Sequence, residues 1–144
     1  MTNDALPAVS FQGVTRRYGI VSAVSDVNLD IASGEFFALL GPSGSGKTTL
    51  LMLLAGFDRP SDGRVMMSGT SVSDVPPHRR KIGVVFQNYA LFPHMTAAGN
   101  VAYPLKMRGV DRTEREARVN AALELVNLGD RGAAYPSQLS GGQQ

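Results

Sequence analysis

The run Gly41-Pro42-Ser43-Gly44-Ser45-Gly46-Lys47-Thr48-Thr49 has the residue types and the spacing to hold a triphosphate. It fits G-x-x-x-x-G-K-[ST], a phosphate-binding loop. Glycines lack a Cβ, so the backbone can curl until successive N–H groups point at phosphate oxygens. The Lys47 ammonium suits the β- and γ-phosphates. The Thr48 hydroxyl suits Mg²⁺, with Thr49 supporting the phosphates beside it.

Such a loop works between a strand and a helix, because the helix N-terminus adds partial positive charge to the phosphate site. Phe36-Phe37-Ala38-Leu39-Leu40 is a continuous apolar run, the pattern of a strand buried on both faces. Residues 48–55 read as an apolar helix ended by Gly56. Upstream, residues 9–18 and 24–31 read as strands. The second alternates, with Val27, Leu29 and Ile31 on one face and Asn28 and Asp30 on the other, so a half-buried antiparallel strand is expected. Ser33-Gly34 turns the chain into the run before the loop.

Downstream, Arg59-Pro60-Ser61-Asp62-Gly63 reads as a turn before a strand at 64–67, in which Met66-Met67 are core. Pro76-Pro77 breaks the chain. Ile82-Gly83-Val84-Val85-Phe86 is a second continuous apolar run, hence a second buried strand. The rest is helical in character. A helix at 96–107 contains Gly99 and Pro104, both unfavourable. A helix at 113–127 has a capping box from Thr113 and Glu116, an i,i+4 pair Glu114→Arg118, and an apolar stripe of Val119, Ala122, Leu123 and Val126.

The 144 residues are 43% hydrophobic and 18% charged, enough for one domain with a core. The absence of cysteine excludes disulfides and thiolate metal sites. No run approaches the ~18 apolar residues of a membrane span, and Met1-Thr2-Asn3-Asp4 does not begin a signal peptide. The net charge is +2. Arg16-Arg17 and Arg79-Arg80-Lys81 are the tight basic clusters and read as solvated loops. A nucleic-acid footprint needs a broader stripe, so no nucleic-acid partner is expected.

Near the far end stands Leu139-Ser140-Gly141-Gly142-Gln143. A phosphate loop followed by L-S-G-G-Q resembles the ATP-binding subunit of an ABC transporter. Arg17-Tyr18-Gly19 and Val85-Phe86-Gln87 match further family marks in order. The resemblance implies an α/β fold: a P-loop NTPase core with an incomplete parallel sheet, an N-terminal antiparallel β subdomain, and a helical signature subdomain. The first two would occupy about 9–87 and the third about 88–144. It implies ATP and Mg²⁺ as cofactors, with Tyr18 stacking on adenine and Lys47 on the phosphates. Gln87 would reach Mg²⁺ or the attacking water. Ser140, Gly141, Gly142 and Gln143 would bind the γ-phosphate of ATP held by the opposite subunit, so a dimer follows.

The family places an apolar strand ending in Asp-Glu, and then a histidine, after the signature. Leu54-Ala55-Gly56-Phe57-Asp58 loosely mimics that strand, but Gly56 breaks it. His78 and His94 precede the signature and read as loop residues. The chain is therefore expected to be an N-terminal fragment of a longer ATPase. By itself it is expected to show no turnover above background, and the runs at 36–40 and 82–86 should be left with unpaired edges.

The segment Phe86-Gln87-Asn88-Tyr89-Ala90-Leu91-Phe92-Pro93-His94-Met95-Thr96 resembles the importer branch that serves polyamines, ferric iron and some sugars. Spermidine/putrescine importers are nearest in wording. The resemblance implies a motor subunit on the cytoplasmic face of the membrane. Its partners would be a second ATP-binding subunit, transmembrane permease subunits and an extracytoplasmic solute-binding protein. A soluble ABC ATPase acting on DNA or ribosomes is the alternative. A small-molecule kinase would leave Leu139–Gln143 without a role.

Overall fold

Alternating apolar residues build the first half of the molecule. In the computed structural model, which describes residues 6–144, β1 (Val9–Tyr18) and β2 (Val21–Ile31) form an antiparallel hairpin. β3 (Asp62–Met67) pairs with the other edge of β1, and β4 (Thr70–Ser71) with β3, giving the order β2-β1-β3-β4. Phe11, Val14, Val24, Val65 and Val72 are buried together with Leu50 and Leu53 of α1 (Lys47–Ala55). The helix after the phosphate loop is thus fixed by the core of the antiparallel sheet. Each buried leucine contributes about 1.5–3 kcal/mol.

The chain divides into two units, Met1–Val84 and Val85–Gln144. In the first, the apolar run at 36–40 forms no strand among the described residues. Leu39 packs against the core while Phe36 and Leu40 are 95% and 91% exposed. This alternation is what an extended segment shows when one side is covered, so the expectation of burial on both faces is corrected. A strand needs a hydrogen-bonded neighbour, and no described strand lies beside this run. The run at 82–86 likewise lacks strand pairing, and Val85 is 97% exposed. Neither segment joins a strand ladder among the described residues, so the expected second buried strand is corrected as well.

The cluster Arg79-Arg80-Lys81 is not uniformly solvated. Arg80 is only 3% exposed. Its Nη1 donates to the carbonyls of Leu53 and Leu54 at 2.6 and 2.8 Å, and its Nε to that of Val75 at 2.7 Å. Two of these carbonyls belong to the last turn of α1, where the helix has negative partial charge and orphan acceptors. Burial lowers the Arg80 pKa. Gly56 caps the same turn with φ +83, and a Cβ there would lie 2.4 Å from Arg80 Nε.

In the second unit, α2 (Ala97–Met107) starts at Thr96, whose hydroxyl accepts from the Gly99 N–H. Gly99 therefore serves the cap, and Pro104 sits in the last turn, so neither interrupts the helix. α3 (Arg112–Leu125) is capped by Asp111, which accepts from the Thr113 N–H at 2.9 Å. The N–H groups of Thr113, Glu114 and Arg112 hold the Asp111 carboxyl below its usual range. Thr113 is inside the helix, so the Thr113/Glu116 capping box is corrected: an aspartate two residues earlier offers a stronger acceptor. The Glu114–Arg118 pair forms as expected. Val119 and Leu123 are buried, and Ala122 and Val126 line a cavity of about 480 Å³ with Leu91, Val101 and Leu139.

Asn100 on α2 ties down the segment before the helix. Its Oδ1 accepts from the Phe92 N–H at 2.8 Å, and its Nδ2 donates to the carbonyls of Phe92 and Thr96 at 3.2 and 3.0 Å. Asn100→Ala is expected to lower stability by about 1–3 kcal/mol, read as a fall in the urea midpoint with an unchanged slope.

Candidate functional site

The loop at 41–49 wraps around its own lysine. Lys47 Nζ donates to the carbonyls of Gly41 and Pro42 at 2.8 and 2.7 Å and lies 3.2 Å from Ser45 Oγ. The ammonium is thus held at the centre of the loop, with its charge at the mouth of α1. Gly46 is the N-cap of α1, with φ +87 and no side-chain cap. Its glycine is required twice over. The left-handed backbone disfavours other residues, and a Cβ would lie 2.5 Å from Val24 Cγ1 and 2.7 Å from the Ala23 carbonyl. Because no side chain caps the helix, the amides of its first turn remain donors for an anion.

Thr48 is exposed and Thr49 half-buried in that first turn, while Pro42, Ser43, Gly44 and Ser45 are exposed along the loop. This donor set fits a phosphate chain. Among the described residues, no group of three or more His, Cys, Asp or Glu side chains is arranged to hold a metal ion. A Mg²⁺ carried on nucleotide phosphates, needing only one or two protein oxygens, fits the Thr48 hydroxyl.

β1 brings Tyr18 to the same end of the hairpin. A Cβ on Gly46 would meet Val24, Val24 pairs with Arg16, and Tyr18 is two residues beyond, roughly 7 Å along the strand. Tyr18 is 49% exposed. The Arg16 guanidinium lies 4.5 Å from its ring centroid, and its hydroxyl donates to Asp58 Oδ2 at 2.5 Å. Arg16 also pairs with Asp58 at 2.8 Å. Burial alone would raise the Asp58 pKa, but the Tyr18 hydroxyl, the Arg59 N–H and Arg16 outweigh it and hold the pKa below the usual aspartate value. Stability from this cluster is therefore present above the unfolded aspartate pKa and is lost as pH falls through the depressed one.

Asp58 was singled out in the sequence only as part of a false match to a catalytic strand. Its role as the partner of Tyr18 has no local signal, since the two are 40 residues apart. The same cluster tightens the Arg16 proton, chiefly through Tyr18.

The other expected residues belong to the second unit. Gln87 is exposed in a turn closed by the Tyr89 N–H on the Phe86 carbonyl, with Tyr89 and Ala90 at φ +60 and +52. In the signature, Leu139 is buried, and Ser140, Gly141 and Gly142 are exposed. Nothing lies within 4 Å of a Cβ built on either glycine. Gln143 and Gln144 donate their N–H groups to the Ser140 carbonyl, which makes the beginning of a helical turn. The Gln143 side chain reaches back to the Ser140 N–H at 3.0 Å. It is used to shape the turn, leaving the serine hydroxyl and the glycine backbone exposed.

Residues 24–144 match the family model described as ABC transporter. The chain is 54% identical over 138 residues to the spermidine/putrescine import ATP-binding protein PotA of Pseudomonas aeruginosa, covering 96% of the chain and 38% of that relative. It is 52% identical over 147 residues to the protein of the same name from Thermobifida fusca, covering 99% and 38%. The chain thus spans about 38% of the length of these curated relatives. Among solved structures, a dimeric bacterial ABC transporter cassette superposes with a TM-score of 0.83 at 36% identity, covering 94% of this chain and 64% of that one. A dimeric ATP-binding cassette in a post-hydrolysis state with ADP and Pi gives 0.82 at the same identity and coverage.

Proposed function

This chain belongs to the ABC transporter family, and from that premise we propose that its full-length protein is the ATP-hydrolysing motor of a polyamine importer. The observation that carries the reading is the glycine-bent loop that seats Lys47 at the uncapped N-terminus of α1. That arrangement suits the β- and γ-phosphates of ATP. Mg²⁺ carried on the phosphates would be held by the Thr48 hydroxyl and would neutralise charge between them. Tyr18 takes the adenine on its ring. Gln87, an exposed amide in a turn, offers an oxygen to the metal or to the attacking water.

Ser140, Gly141 and Gly142 serve the nucleotide of a second subunit. Two ATP molecules are then sandwiched between two copies, in keeping with the dimeric cassettes that this chain resembles. No helix among the described residues is long and apolar enough to cross a membrane. The proposed attachment is to permease subunits, on the cytoplasmic face, with an extracytoplasmic protein delivering the solute. The polyamine substrate is supported by the names of relatives at 54% and 52% identity.

The test is reconstitution of the full-length protein with its permease and solute-binding partner in proteoliposomes. Spermidine or putrescine is expected to raise ATP hydrolysis several-fold and to accumulate inside. Stimulation by maltose or ferric iron but not by polyamines would overturn the substrate assignment.

A further inference from the structure

We propose that Asp58 and Arg16 are positioning residues for the nucleotide base, which fix the Tyr18 ring so that one face alone receives it. The inference rests on the reading of Tyr18 as the base platform. An unrestrained tyrosine at a strand end samples several rotamers, and binding must immobilise it. Here both degrees of freedom are already taken. The hydroxyl is bonded to Asp58 at 2.5 Å, in the range of a charge-assisted bond. The Arg16 guanidinium covers one face at 4.5 Å. The residue nevertheless stays 49% exposed, so area remains for a stacked base.

Asp58 is itself held. Its N–H and that of Phe57 donate to the Met52 carbonyl at 3.3 and 3.0 Å, so it continues the last turn of α1. Its Oδ1 accepts from the Arg59 N–H at 2.8 Å and pairs with Arg16. Arg17 adds a second tie between β1 and the same segment, through Asp62 at 2.7 Å and Ser61 at 3.0 Å. The helix whose first turn holds the phosphates therefore also holds, just past its last turn, the group that orients the base platform.

The experiment uses the full-length protein and two probes, MgATP and inorganic tripolyphosphate. Tripolyphosphate engages the loop but has no base. Tyr18→Phe keeps the ring and loses the bond, and Asp58→Ala removes the acceptor. Each is expected to weaken MgATP binding about 3- to 10-fold, from the lost ordering of one side chain. The loss should fall on KM rather than kcat. The double variant should be no worse than either single one, because both break the same bond. Tripolyphosphate affinity should not move, and Arg16→Gln should repeat the pattern.

Equal weakening of tripolyphosphate would overturn the proposal, since Asp58 would then act on α1 and the loop. Additive losses in the double variant would overturn it as well. Tyr18→Ala separates the two levels. Stacking of a base is worth roughly 5- to 150-fold in affinity. If Tyr18→Ala binds MgATP normally, the platform reading itself fails. If Tyr18→Ala is weakened while Tyr18→Phe and Asp58→Ala bind normally, only the positioning inference fails.

Discussion

Lys47→Ala is expected to lower ATP hydrolysis by the full-length protein at least 100-fold. Removing one fixed donor from a preorganised oxyanion hole typically costs about 10²–10³ in rate, and a lysine placed on transferring phosphates acts by the same electrostatics. Lys47 also shapes the loop, because its ammonium bridges the carbonyls of Gly41 and Pro42 and the hydroxyl of Ser45. Loss of the side chain removes both the charge and the cross-link. Lys47→Arg should rescue poorly. The three acceptors surround a compact ammonium, and a planar guanidinium cannot converge on them with the same geometry. Tripolyphosphate binding measured beside turnover checks the cause. Unaltered tripolyphosphate affinity in Lys47→Ala would place the phosphate site elsewhere.

Arg80→Met is the second large effect, and it concerns folding. The substitution keeps an apolar stem of similar reach but leaves the carbonyls of Leu54 and Val75 without their donor, and that of Leu53 with the Gly56 N–H alone. Each buried acceptor left alone costs about 1–3 kcal/mol. Relaxation lets water reach some of them, so a total loss of about 3–5 kcal/mol is expected. Arg80→Lys should recover only part of this, because one ammonium cannot serve acceptors that the guanidinium fork reaches from separate nitrogens. Urea unfolding gives the measurement. A shift below about 1 kcal/mol would show that the Arg80 contacts are not what holds the segment before Gln87 to α1.

The parts of the site that are contiguous in sequence were legible there. The glycine loop, the helix stop at Gly56 and the Leu139–Gln143 motif each carry their geometry in neighbouring residues. Arg80 and Asp58 were not legible, because their partners are 27 and 40 residues away. A cluster of three basic residues looks the same whether its middle member is solvated or buried. The runs at 36–40 and 82–86 show the opposite failure. Their composition is that of buried strands, but a strand is a pairing, and composition does not supply a neighbour. The α3 cap was missed by two residues because Thr113 and Asp111 are both good caps and only the backbone shows which one is used.

The nine residues of α1 span about 13 Å. The phosphate loop is fixed at one end. The carbonyls gripped by Arg80 and the carboxylate gripped by Tyr18 are fixed at the other. One inserted residue would advance the far end by about 1.5 Å and turn it by roughly 100°. The loop would survive, while Asp58 and the Leu53 and Leu54 carbonyls would face the wrong way. The helix is therefore a ruler between the glycine loop and the groups that hold Tyr18 and Arg80. Its side chains can vary within the demands of the core, but its residue count cannot.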